Sequence, residues 1–169
     1  MRVEGKVALI SGGAGGIGSA TAELLAREGA SVVIGDLLEQ EGHSIEHSIK
    51  RSGGQALFIN LDVTDGASWD RAVEAAVSNF GKLDILVNNA GISHRAGVED
   101  TSAEAWDRVI SVNVKGVFLG TKAAIPAMRI AGGGSIINIS SNRQELFMLL
   151  PLIKSLLPIF ITINNHYLK

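Results

Sequence analysis

Several groups of residues in this chain have the types and spacing to do chemistry. The densest is Ser11-Gly12-Gly13-Ala14-Gly15-Gly16-Ile17-Gly18, which follows an apolar run, Val7 to Ile10, and opens a helix-like stretch, Thr21 to Glu28. Unpaired N–H groups at a helix start carry the positive end of the helix dipole and attract phosphate. Glycines let the chain turn sharply and let a ligand approach the backbone. Gly13, Gly15 and Gly18 fit one dinucleotide spacing, and Gly12, Gly16 and Gly18 fit a second. A glycine pattern alone is equally a flexible turn, but a strand before it and a helix after it meet the context that the phosphate reading requires. Asp36 lies 18 residues after Gly18, at the end of the next apolar run. A carboxylate there suits ribose hydroxyls, the alternative being a capping or loop aspartate. It would repel a 2′-phosphate, and no Arg or Lys lies between Gly12 and Ala26 to attract one; NAD is therefore expected rather than NADP. Asp62-Val63 reads evenly as a turn or as a partner for an adenine amino group. Asn88-Asn89-Ala90-Gly91 offers side-chain amides to brace the backbone, and small residues that leave room for a ligand. Asn113 sits mid-helix, a poor place for Asn by propensity. There it is either a solvated or core-satisfied side chain or, as preferred here, one with a functional backbone or water contact.

The elements that must position these residues follow from periodicity. Strands are predicted at Val7 to Ile10, Ser31 to Gly35, Ala56 to Asn60, Asp84 to Val87 and Ser135 to Ile139. Between them, Ser19 to Arg27 place Ala20, Leu24 and Leu25 on one helical face, and Gly29 stops that helix. Leu38 to Arg51 and Ser68 to Phe80 are the next helices, the latter capped by Thr64 or Asp65. Thr101-Ser102-Ala103-Glu104 fits a capping box with Thr101 as the cap. It opens a long helix, residues 102–128, with Pro126 near its end. His43 and His47 stand at i, i+4, a metal-compatible spacing, but with no third ligand in view they read as a solvated face. The strands are continuous apolar runs alternating with helices, which argues a parallel sheet covered on both faces. Ligands of such sheets bind beyond the carboxyl ends of the strands, and Gly12, Asp36, Asp62, Asn89 and Ser141 all fall at such ends.

The chain of 169 residues is long enough for one domain with a sizeable core. Its 46% hydrophobic and 19% charged content is that of a globular protein. A net charge of -2 gives no reason to expect nucleic acid or an anionic membrane as partner. The absence of cysteine excludes disulfides and thiolate chemistry. Residues 1–6 carry no signal-peptide apolar region, so a cytoplasmic location is the default expectation.

Taken in order, Ser11-Gly12-x-x-x-Gly16-Ile17-Gly18, Asp36, Asp62-Val63, Asn88-Asn89-Ala90-Gly91, Asn113 and Gly134-Ser135-Ile136-Ile137-Asn138-Ile139-Ser140-Ser141 resemble the classical short-chain dehydrogenases/reductases over roughly residues 3–141. The resemblance implies a Rossmann-type, doubly wound parallel sheet, here incomplete at about five strands, and hydride transfer between NAD(P) and a secondary alcohol or ketone. It implies that Gly12, Gly16, Ile17, Gly18, Asp36, Asp62, Val63, Asn89, Ala90 and Gly91 bind the cofactor. It also implies that Ser141 binds the substrate carbonyl or hydroxyl, and that Asn113 holds a water of the proton relay. Pairing with a second copy or a relative is expected through the helix at 102–128. No metal is implied.

The family's Tyr-x-x-x-Lys pair is not found. An unperturbed phenol, with a pKa of about 10, is a poor base near neutrality and needs the lysine. The sole tyrosine is Tyr167, and Lys154 stands 13 residues after Ser141, where the resemblance places the tyrosine, with Pro158 four further on. All 20 glycines lie at or before Gly134, and from Asn142 onward the only acid is Glu145. The expected division is thus a nucleotide-binding domain at 1–141 and a divergent apolar tail at 142–169, which reads like an out-of-frame or retained-intron ending. A membrane-spanning tail is the alternative, although Pro151, Lys154 and Pro158 interrupt it. Three readings follow: an NAD-dependent dehydrogenase with impaired catalysis, a non-catalytic nucleotide-binding or interaction protein, and a truncated product without function of its own.

Overall fold

The computed structural model describes residues 1–140. The expectations for Ser141 and for the tail at 142–169 lie outside the described residues. Five strands, β1 (Val7–Ser11), β2 (Ser31–Asp36), β3 (Gln55–Asn60), β4 (Ile85–Asn88) and β5 (Ser135–Asn138), form one sheet in the order β3-β2-β1-β4-β5. Every pairing is parallel. The helices are α1 (Gly16–Arg27), α2 (Glu39–Arg51), α3 (Gly66–Phe80), α4 (Ala103–Ile110) and α5 (Gly116–Ile130). The predicted α/β class and strand count are found.

Strand β1 is buried along its whole length, as a central strand covered on both faces must be. Its side chains divide between two cores. Val7 and Leu9 join Trp69 of α3 and Ala124 and Met128 of α5 on one face. Ala8 and Ile10 join Ala22 of α1 and Ile49 of α2 on the other. Alternation along the strand therefore assigns each residue to one helix layer.

Local chemistry ends and starts the helices largely as expected. Gly29 takes φ +95°, the N–H of Ala30 reaches the carbonyl of Leu25, and that of Gly29 reaches Ala26. This is a Schellman cap, which favours glycine because a Cβ is strained at that φ. Asp65 caps α3, accepting from the N–H groups of Ala67 and Ser68. Other expectations are corrected. The cap of α4 is Ser102, whose Oγ accepts from Ala105 N at 3.2 Å. Thr101 instead donates its hydroxyl to the carbonyl of Gly97 at 2.8 Å. A 3₁₀ turn, Val98–Asp100, captures Thr101 and delays the helix by one residue. The buried side of α1 is Gly18 and Ala22, and Leu24 is half exposed. The predicted helix at 102–128 is α4, a π-helical turn, Ser111–Lys115, and α5, which runs to Ile130. The solvated face expected at His43 and His47 is found: both residues are exposed, and His43 bonds Glu46 at 2.9 Å while packing against Phe58.

Asp84 anchors the start of β4. Its carboxylate accepts from Val7 N at 2.9 Å and pairs with Lys6 at 3.1 Å and Lys82 at 3.0 Å. Burial by itself would raise its pKa. The N–H of Val7 and the two ammonium groups outweigh that and hold it below the ordinary value. A depressed carboxyl pKa contributes stability above the unfolded value, near 4, which is lost as pH falls through the folded one. Asp84→Asn is expected to lower the unfolding free energy by about 2 kcal/mol at neutral pH. The gap from the parent should narrow as urea titrations are repeated at decreasing pH, and a gap unchanged down to strongly acid pH would contradict the assignment.

Candidate functional site

The sheet order reverses between β1 and β4, because the chain leaves β1 through α1 toward β2 and returns through α3 to β4 on β1's other side. A crevice opens at such a point beyond the strand ends. Its two walls are Ser11–Gly12 and Asn88–Gly91, and side chains tie them together. The Asn89 Nδ2 donates to the carbonyls of Ser11 at 3.1 Å and Gly12 at 2.9 Å. The buried Ser11 hydroxyl accepts from the N–H groups of Asn89 at 3.1 Å and Ala90 at 3.2 Å. Asn88 extends the tie to the next strand through Asn138 Oδ1 at 2.9 Å, and to α5 through Thr121 Oγ1 at 3.4 Å.

The glycines of the turn divide by what surrounds them. Gly12 has φ +65°, and a Cβ there would stand 2.8 Å from Ala90 Cα; a Cβ on Gly18 would collide with the carbonyl oxygen of Gly12. These two are glycine because the backbone packs on itself. Among the described residues, a Cβ on Gly15 or Gly16 would meet nothing within 4 Å, so these two face open space. The α1 N-cap, Gly15, supplies no side-chain cap, and the first turn contains no acid. Ile17 is 64% exposed beside it. The helix therefore starts with its amides and dipole directed to a space that no group among the described residues fills, and the site suits a pyrophosphate.

Asp36 closes the turn from the β2 side. Its Oδ2 accepts from Ala14 N at 2.9 Å and its Oδ1 from Leu38 N at 3.1 Å. Asp62 Oδ1 accepts from both the N–H and the hydroxyl of Thr64 at 2.8 Å, the work of a turn residue. Val63 is buried, and its carbonyl accepts from the indole of Trp69 at 3.0 Å. Asn113 lies in the π-helical turn. Its Oδ1 accepts from Ile92 N and its Nδ2 donates to Ile92 O, both at 2.9 Å. The expected backbone contact of Asn113 is present, and it pins the chain just past Gly91. The structure thus gathers Gly12, Gly16, Ile17, Gly18, Asp36, Asn89, Ala90, Gly91 and Asn113 around one crevice, with Asp62 and Val63 past the end of β3. Sequence reasoning missed Ser11 as the hub of the crevice. Its signals were a hydroxyl ending an otherwise apolar buried strand and its place at the head of the glycine motif.

The sequence profile of the short chain dehydrogenase family matches residues 6–148. The chain belongs to this family of oxidoreductases. It is 55% identical over 140 residues to the 2,5-dichloro-2,5-cyclohexadiene-1,4-diol dehydrogenase LinX of Sphingobium indicum, covering 83% of this chain and 56% of that one. It is 55% identical over 146 residues to the trans-4-hydroxycyclohexanecarboxylate dehydrogenase of Sinomonas cyclohexanicum, with the same coverage. Among solved structures, a double mutant of a Serratia marcescens short-chain dehydrogenase/reductase superposes with a TM-score of 0.80 at 39% identity, over 86% of this chain and 59% of that one. The chain spans a little over half the length of these relatives. The family generally uses NAD(P).

Gly18→Ala is expected to lower the urea midpoint sharply, by several kcal/mol of stability, because backbone must shift. Gly15→Ala should leave it within about 0.5 kcal/mol. Asn89→Ala should cost about 2 kcal/mol by stranding two carbonyls. Equal midpoints for the two glycine variants would refute the division of the turn into packing and ligand-facing positions.

Proposed function

We propose that the chain carries the cofactor half of an NAD-dependent dehydrogenase acting on secondary alcohols or ketones, and that the 169-residue chain binds NAD with little or no turnover. The observation that carries the reading is the open, uncapped start of α1 held against β4 by Asn89 and Ser11. Gly12 and Gly18 permit that approach, and the amides following Gly15 and Gly16 hold the pyrophosphate. Asp36, followed by the exposed Leu37 and Leu38 and by no Arg or Lys before Lys50, takes the ribose hydroxyls and disfavours a 2′-phosphate. Asp62 and Val63 flank the adenine, while Asn89, Ala90 and Gly91 line the far end of the cofactor. When bound, the nicotinamide supplies the redox chemistry. Asn113 holds Ile92 in place and a water of the proton relay, and Ser141 binds the substrate oxygen.

The relatives' names point to alcohols on small carbon rings as the substrate class. Little turnover is proposed because no Tyr-x-x-x-Lys pair occurs within the 169 residues. A second reading, a non-catalytic binding module that pairs with a second copy or a longer relative, is favoured by one observation. Trp106, Ile110, Val114 and Phe118, spaced four apart along α4, the π turn and α5, are all exposed.

Calorimetry with NAD and NADP tests the proposal. NAD is expected to bind more tightly than NADP, Asp36→Ala should weaken NAD and reduce the discrimination, and cyclohexanol should not be oxidised. Absence of NAD binding by a folded chain would refute the cofactor assignment. Turnover abolished by Ser141→Ala would refute the impairment.

A further inference from the structure

Beyond the cofactor crevice, a cavity of about 350 Å³ lies between the loop after β4 and α4, lined by Ile92, Ser93, His94, Ala105, Arg108 and Val109. It adjoins the Asn113 clamp, since Ile92 both lines the cavity and exchanges two hydrogen bonds with Asn113, donating its N–H and accepting at its carbonyl. Its volume is at the low end for small-molecule sites, which suits a single ring. Its lining has two parts. Ile92, Ala105 and Val109 are apolar, while Ser93, His94 and Arg108 bring hydrogen-bond donors and a permanent positive charge. No carboxylate contributes to the lining, although Glu104 and Asp107 stand on the same helix. Glu104 is engaged instead with its own N–H and the Ser102 hydroxyl at the helix start, which hold its pKa down. Among the described residues no acid lies within ion-pairing distance of Arg108 or His94.

A guanidinium offers a planar two-point fork that matches a carboxylate. We propose that this cavity is a substrate-selecting subsite that takes a small-ring molecule bearing a carboxylate, with the ring against Ile92, Ala105 and Val109 and the carboxylate on Arg108, assisted by Ser93 and His94. The proposal rests on the ring-alcohol reading above and names the substituent that this chain selects.

The test uses the purified 169-residue chain and two probes of matched shape, cyclohexanecarboxylate and its neutral carboxamide, followed by amide chemical shifts in NMR titrations. The carboxylate should bind about fivefold more tightly than the carboxamide, a modest ratio because the site is open to solvent. Shifts are expected at Ile92, Ser93, His94, Ala105 and Val109. Arg108→Gln, at an exposed position, should abolish the preference while leaving the fold and NAD affinity unchanged, and Arg108→Lys should retain part of it. Equal affinity for the two probes, a preference surviving Arg108→Gln, or inorganic phosphate binding as tightly with the same shifts would each overturn the proposal. An NAD titration of the same sample separates the two ideas: NAD binding without carboxylate preference defeats the subsite alone, and loss of NAD binding defeats the cofactor reading.

Discussion

The structure depends on the bonds that close the crevice between β1 and β4. Parallel strands pair through their backbones only as far as the strands run, and here each chain turns away to a different face where pairing stops. Asn89 continues the contact past that point with one side chain, saturating the carbonyls of Ser11 and Gly12, and Ser11 answers with a hydroxyl that takes two N–H groups. Because the walls are drawn this close, Gly12 cannot carry a Cβ beside Ala90 and Gly18 cannot carry one beside Gly12. The same closeness rotates α1 so that Gly18 and Ala22 face the sheet, and it points the helix start at the mouth of the crevice. Packing and the anion-binding geometry are thus consequences of one set of hydrogen bonds.

Asn113 plays the matching part at the outer wall. In a regular helix interior its amide would compete poorly with better helix formers. The π-helical turn at Ser111–Lys115 instead carries this side chain where it grips both backbone groups of Ile92. Such turns are uncommon and recur at functional sites. This one links α4 and α5 to the loop beyond Gly91, so the shape of the Arg108 cavity and the position of the crevice wall are set by a common contact.

What was legible beforehand was local. The strands were legible as continuous apolar runs, and Gly29 and Asp65 as the residues that end and start helices, because those signals act within a few residues of themselves. Asn113 stood out because it contradicted the propensity of its surroundings. The misreadings share a cause. Thr101 and Ser102 are both competent caps, and only the preceding turn at Val98–Asp100 decides between them. Leu24 looked like a core residue by spacing, but the Gly12–Gly18 approach sets the helix rotation and leaves it half exposed. The break at Ser111–Lys115 has no composition to announce it, since it arises from a bond to a residue 21 positions away.

The amino-acid sequence by itself determined the alternation of strands and helices, the parallel class of the sheet, and the placing of glycines, aspartates and amides at strand ends, because periodicity and turn chemistry are short-range. Only the tertiary structure decided which of those residues meet. It assigned Gly12 and Gly18 to packing and Gly15 and Gly16 to open space, and made Ser11 the hub of the crevice. It also put Arg108 of α4 and His94 of the loop after β4 on one cavity. The crevice contacts join residues far apart in the chain, and the strand order β3-β2-β1-β4-β5 brings their strand ends side by side.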